Sequence, residues 1–232
     1  MLPTIKMIEY EKTPIRKYEN FIREIIESTK RGINFDKLEE SNKMFVDKIK
    51  ELFKFENSKS WSFLIASLDT LGDSQFSIIS FLNHKIDNES EFNTGEKYLR
   101  LYGVLSAIYI HNRAIATLAD LVKVKDDKIE DEFKNSKINF LRNAISAHPV
   151  NFKDNGLKTN YKIARYSVND RGQLVLVNMD NKFETYDLYK AISDYLSFSK
   201  ENLDKITRKL ISNRFKTSKE KREQLEKKLI EL

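Results

Sequence analysis

The chain has 232 residues, with 41 Lys and Arg against 35 Asp and Glu, a formal net charge of +6, and only 6 Gly and 3 Pro. That length supports a single domain with a full core, the scarcity of helix breakers favours a packed helical protein, and the positive excess suits a polyanionic partner. Cysteine is absent, which excludes disulfide scaffolds, thiolate metal sites and cysteine nucleophiles and fits a reducing cytoplasm.

The charged start from Met1 to Tyr18 lacks the apolar core of a signal peptide, and no apolar run approaches the ~18 residues of a membrane span, so a cytoplasmic protein without a membrane partner is expected. Pro14 suits a first helical turn, and Ile15, Tyr18, Ile22, Ile25 and Ile26 recur at helical spacing, predicting a helix over 15–31 closed by Gly32. Asp36 is a candidate cap for a second helix with Leu38, Met44, Phe45, Ile49, Leu52 and Phe53 on one face. Ser60 caps a third, apolar almost all round, which predicts a central position and makes its two carboxylates, Asp69 and Asp73, candidates for burial against Arg100, Arg113 or Arg142. After a polar loop at 85–95, helical periodicity runs to about Lys123, with His111, Asn112 and Arg113 as a polar cluster. Residues 126–147 read as one further helix, stopped by Pro149.

Between 160 and 180 two short β-rich runs flank Asn169-Asp170-Arg171-Gly172, which predicts a β-hairpin. Helical periodicity returns over about 185–215, and 216–232 reads as a charged helix or fraying tail. The expected fold is therefore mainly α: one domain over 1–232, with an up-and-down bundle over about 15–148 and 185–215, a hairpin at about 160–180, and a basic C-terminal segment. The basic side chains from Lys205 to Lys228 suit either a solvated face or contact with an RNA backbone. Tyr161, Arg165 and Tyr166 could add stacking.

One segment carries chemistry. On a helix ending at Pro149, Asn139, Arg142, Asn143 and Ser146 share a polar face opposite Ile138, Leu141 and Ile145, and His148 closes the series where the proline loosens the last turn. This Arg-Asn-Ala-Ile-Ser-Ala-His run resembles the motif of the HEPN superfamily, in which an Arg, usually followed by Asn, Asp or His, is separated from a His by four to six intervening residues, here five. The resemblance extends over roughly residues 60–150. It implies a helical bundle, metal-independent RNA cleavage by 2′-hydroxyl attack with Arg142, Asn143 and His148 as the catalytic set, and no cofactor or metal. It also implies a homodimer in which two motifs meet, and a toxin–antitoxin or antiviral defence setting with an antitoxin or another protein partner. Asn139 and Ser146 are the expected substrate contacts.

The same residues admit plainer roles. His148 suits a helix C-terminus because a cation faces unpaired carbonyls there, and Arg142 suits an ion pair with a neighbouring acid. The second functional expectation is accordingly a non-catalytic HEPN-like helical protein that binds RNA or a protein. Asp69 and Asp73 could also ligate a metal, although the three histidines form no ligand motif with them. His84 reads as a helix cap.

Overall fold

The computed structural model describes residues 7–31, 42–84, 93–124, 128–154, 156–164, 167 and 172–232. Within them the chain is mainly helical: α1 (Pro14–Arg31), α2 (Asn42–Phe53), α3 (Ser60–Asn83), α4 (Thr94–Val122), α5 (Lys128–Lys134), α6 (Lys137–Arg142), α7 (Leu188–Arg214) and α8 (Lys219–Ile230), with five short strands between α6 and α7. Its contacts cluster into two compact units. One comprises Met1–Tyr10, Ser74–Asn112 and Lys128–Ser197; the other comprises Glu11–Asp73, Arg113–Asp127 and Phe198–Leu232. Among the described residues, no helix is long and apolar enough to cross a membrane.

In the second unit, α1 starts as its sequence dictates. Pro14 occupies the first turn, where its missing N–H costs nothing, and the Thr13 hydroxyl accepts the Arg16 N–H at 3.4 Å. Ile15, Tyr18, Ile22, Ile25 and Ile26 are all buried. The candidate caps Gly32 and Asp36, and Leu38, lie outside the described residues. On α2, Ile49 and Phe53 are buried one turn apart, whereas Met44 is 54% exposed. Five positions before Ile49, it is rotated by about 140° from the apolar stripe.

Helix α3 is not apolar all round. Ser62, Phe63, Ala66, Asp69, Asp73, Phe76, Ser77 and Ser80 form one exposed stripe at spacings of one, three or four. Phe63 and Phe76 on that stripe disguise its amphipathicity in the sequence. Asp69 and Asp73 therefore stand in solvent. Asp69 accepts from Arg23 at 2.8 Å, not from Arg100, Arg113 or Arg142. The buried carboxylate of this region is Glu19, which pairs with Arg16 at 2.9 Å and with Arg23 at 3.0 Å. The C-terminal segment is a packed helix, with Leu225 and Leu229 of α8 buried. Several of its cations pair with acids: Lys228 with Glu24 at 2.7 Å, Lys219 with Glu223 and Arg222 with Glu226 both at 3.8 Å.

The first unit holds α5, α6 and the strands. Residues 160–180 supply only part of the β-structure. β3 (Tyr161–Ile163), β4 (Gln173–Asn178) and β5 (Phe183–Asp187) form an antiparallel sheet in the order β3-β4-β5, and β1 (Phe152–Asp154) and β2 (Leu157–Thr159) form a separate ribbon. The third strand is hidden in the sequence because Phe183 and Thr185 face solvent and only Tyr186 is buried. Asn178 makes the β4–β5 turn, its Oδ1 accepting the Asp180 and Lys182 N–H groups at 3.0 Å each. Of the expected β3–β4 turn, residues 169–171 lie outside the described set, as do Arg165 and Tyr166. Gly172 has φ +70°, and a Cβ there would stand 2.2 Å from the Tyr189 ring, so only glycine fits.

A Cβ at Gly72 would lie 3.1 Å from Glu19 Oε2 and 3.2 Å from Oε1. Two arginines hold that carboxylate in place. Gly72→Ala is therefore expected to lose about 1 kcal/mol in a urea titration, the clash outweighing the gain in helix propensity. An increase in stability would show that the Glu19 network is free to move.

Candidate active site at the end of helix α6

The segment expected to be one helix over 126–147 is broken at Asn135-Ser136. The Ser136 hydroxyl accepts the Asn139 N–H at 3.3 Å and so caps α6, while Asn139 Nδ2 donates to the Lys134 carbonyl at the end of α5 at 3.0 Å. Asn139 is buried and committed to this junction. After Arg142 the helix widens: Asn143–Ala147 is a π-turn, and its closing bond runs from the His148 N–H to the Asn143 carbonyl at 2.9 Å. At α-helical pitch His148 would stand about 140° round the axis from Asn143; an i→i+5 bond brings it back above Asn143. The loosening expected from Pro149 is thus one extra residue in the last turn.

Packing behind the motif holds this turn. The Phe140 ring meets those of Phe152 at 5.6 Å, Tyr161 at 5.4 Å and Tyr186 at 5.5 Å, one ring each from β1, β3 and β5. The Lys137 ammonium lies 4.8 Å from the centre of the Tyr186 ring. Past the helix, the Asn151 N–H donates to the His148 carbonyl and the Tyr161 N–H to the Pro149 carbonyl, at 3.1 and 3.0 Å. The backbone on both sides of His148 is therefore pinned.

Arg142 is half-buried and has no carboxylate partner among the described residues. Its Nη1 donates to Asn143 Oδ1 at 2.8 Å, and its guanidinium carbon lies 4.1 Å from the centre of the Tyr109 ring. The ion pair that would have given Arg142 a purely structural role is absent from these residues. Ser146 Oγ donates to the Arg142 carbonyl at 3.0 Å, so this hydroxyl, like the Asn139 amide, serves the backbone. His148 is exposed, and its imidazole has no hydrogen bond among the described residues. Arg142 at the end of α6, Asn143 in the π-turn and His148 just after it thus lie along one short stretch, half-buried at the first two positions and exposed at the last. Tyr109 and the π-turn lie outside the sequence expectation. Tyr109 stands two positions before the flagged His111 and is indistinguishable by pattern from its helical neighbours, and a π-turn has no pattern of its own beyond the proline that follows.

No protein-family model, curated protein or solved structure matches the chain.

The His111 cluster is structural. His111 and Asn112 are buried while Arg113 is exposed. His111 Nδ1 lies 2.7 Å from the Tyr195 hydroxyl, which itself donates to the Ile108 carbonyl at 3.2 Å. With the phenol proton used there, Nδ1–H donates to the phenol oxygen, and Nε2 is a buried lone pair without a hydrogen bond. Burial pushes the His111 pKa down to about 3. The unfolded chain protonates near the ordinary value of about 6.5, so below it the unfolded state binds a proton that the folded state refuses. This contribution to stability is full above pH 6.5 and declines as pH falls towards 3. Wild type is expected to lose roughly 1 kcal/mol between pH 7.5 and pH 5.5 in urea titrations, and His111→Gln should flatten that slope whatever its absolute stability. Equal slopes would remove His111 as the cause.

Proposed function

We propose that the chain is a HEPN-like, metal-independent endoribonuclease acting as a homodimer, with Arg142, Asn143 and His148 at its active centre. The observation that carries this reading is the Arg142 guanidinium: half-buried, over the Tyr109 ring, with one donor on Asn143 and no acid beside it among the described residues, one π-turn before an exposed imidazole. A guanidinium presents five N–H donors, and those left over here form an electrophilic face for a phosphoryl group. Its free donors can take up an anion, and a phosphodiester supplies one.

In the reaction, the ribose 2′-oxygen attacks the adjacent phosphorus, the bond from phosphorus to the 5′-oxygen breaks, and a 2′,3′-cyclic phosphate remains. One imidazole takes the 2′-hydroxyl proton and another gives a proton to the departing 5′-oxygen. A single motif has one His148, so the second is assigned to the partner's His148 across a two-fold axis. Arg142 stabilises the charge that grows on the non-bridging oxygens, and Asn143 keeps the guanidinium aimed. Asn139 and Ser146, expected at the substrate, contribute by holding the turn. A defence or toxin–antitoxin role for such an enzyme is suggested by the resemblance alone.

Purified protein incubated with a mixed RNA pool in EDTA is expected to release fragments ending in 2′,3′-cyclic phosphate. His148→Ala should slow cleavage by at least about 100-fold. Arg142→Lys should also be impaired, because an ammonium cannot reproduce the planar fork. Absence of cleavage by a folded dimer, together with tight binding of the same RNA, would assign the site to anion binding and favour the non-catalytic expectation.

A further inference from the structure

We propose that Tyr109 is a positioning residue for Arg142, its ring fixing the guanidinium plane so that the donors not given to Asn143 converge on one anion; this rests on the phosphate-handling role assigned to Arg142 above. The 4.1 Å separation lies well inside the ~6 Å within which a cation is attracted to an aromatic face. An arginine held by one hydrogen bond still pivots about it. A ring face and the Asn143 oxygen together hold the same plane at two points, the kind of orientation that separates a charged group from a catalytic one.

The platform is itself braced. The Tyr109 ring lies 6.5 Å from that of Phe133, which meets the Tyr195 ring edge-on at 5.8 Å, and the Tyr195 hydroxyl is anchored by His111 and Ile108. The buried His111 cluster thus becomes the rear support of the site without entering the chemistry. The Tyr109 hydroxyl makes no hydrogen bond among the described residues, so its contribution is the face of the ring. Phenylalanine should therefore replace it, and leucine, of comparable bulk but without a π-face, should not.

Three proteins, wild type, Tyr109→Phe and Tyr109→Leu, are compared by side-chain NMR of Arg142 and by fluorescence anisotropy with a labelled, non-cleavable 2′-deoxy oligonucleotide. In wild type and Tyr109→Phe the Arg142 Nε–H resonance is expected upfield of its free position, displaced by the ring current, with affinities within about twofold of each other. In Tyr109→Leu the displacement should vanish and affinity fall about ten-fold. An unshifted Arg142 resonance in wild type overturns the proposal even if the leucine variant fails to fold, and so does unchanged binding by a folded Tyr109→Leu. RNA cleavage separates the two ideas. If wild type and Tyr109→Leu cleave equally, the platform falls and the nuclease stands; if no variant cleaves while the resonance and affinity behave as expected, the nuclease falls and the platform stands.

Discussion

The hydrogen bond from the His148 N–H to the Asn143 carbonyl is the constraint on which the site depends. It makes the last turn one residue wider than an α-turn, and that residue decides whether His148 lies above Asn143 or well round the helix from it. A π-turn is less favourable than the α-turn it replaces, so something must hold it. Pro149 disfavours α-conformation at His148, and the sheet ties the following backbone through Tyr161. The strands are therefore part of the site although none of their side chains is assigned to it. Their three rings close on Phe140 and fix the helix from which Arg142 projects.

Two histidines of the same unit illustrate how environment separates roles. His111 is buried, bonded through one nitrogen and kept neutral far below the ordinary range, so it cannot exchange protons near neutrality. His148 is exposed at the end of a helix, and its imidazole makes no hydrogen bond among the described residues. Burial is what keeps His111 neutral and commits it to the fold.

The helices were legible in the sequence wherever apolar residues repeat without ambiguity, as in α1, where Ile15, Tyr18, Ile22, Ile25 and Ile26 form the stripe that is buried. Reading failed where surface residues are themselves apolar. Phe63 and Phe76 made α3 look buried on all sides and drew Asp69 into a core that it does not enter. Strand β5 escaped because period-two alternation with one buried residue carries little signal. Within the site, the spacing of Arg142, Asn143 and His148 was readable because one short segment supplies all three. Tyr109 was not, because a contact between separate helices leaves no trace in local pattern, and Asn139 and Ser146 could be placed on a polar face but not told apart from backbone caps.

The treatment of arginines elsewhere in the chain sharpens the meaning of Arg142. Arg16 and Arg23 share Glu19, Arg23 also takes Asp69, and Arg208 takes Asp204 at 2.7 Å. Arg214 gives its Nε–H to Thr29 and has the end of α7 beside it, where exposed carbonyls favour a cation without any acid. Among the described residues Arg142 has neither remedy. It ends α6 in register, yet the helical path continues through the π-turn, so the terminal carbonyls lie further along the chain. What it has is an aromatic ring 4.1 Å from its guanidinium carbon and a hydrogen bond to the Asn143 amide oxygen at 2.8 Å, and neither is an acid. A half-buried guanidinium with no acid beside it among the described residues keeps donors available to an anion, which is what its proposed role requires.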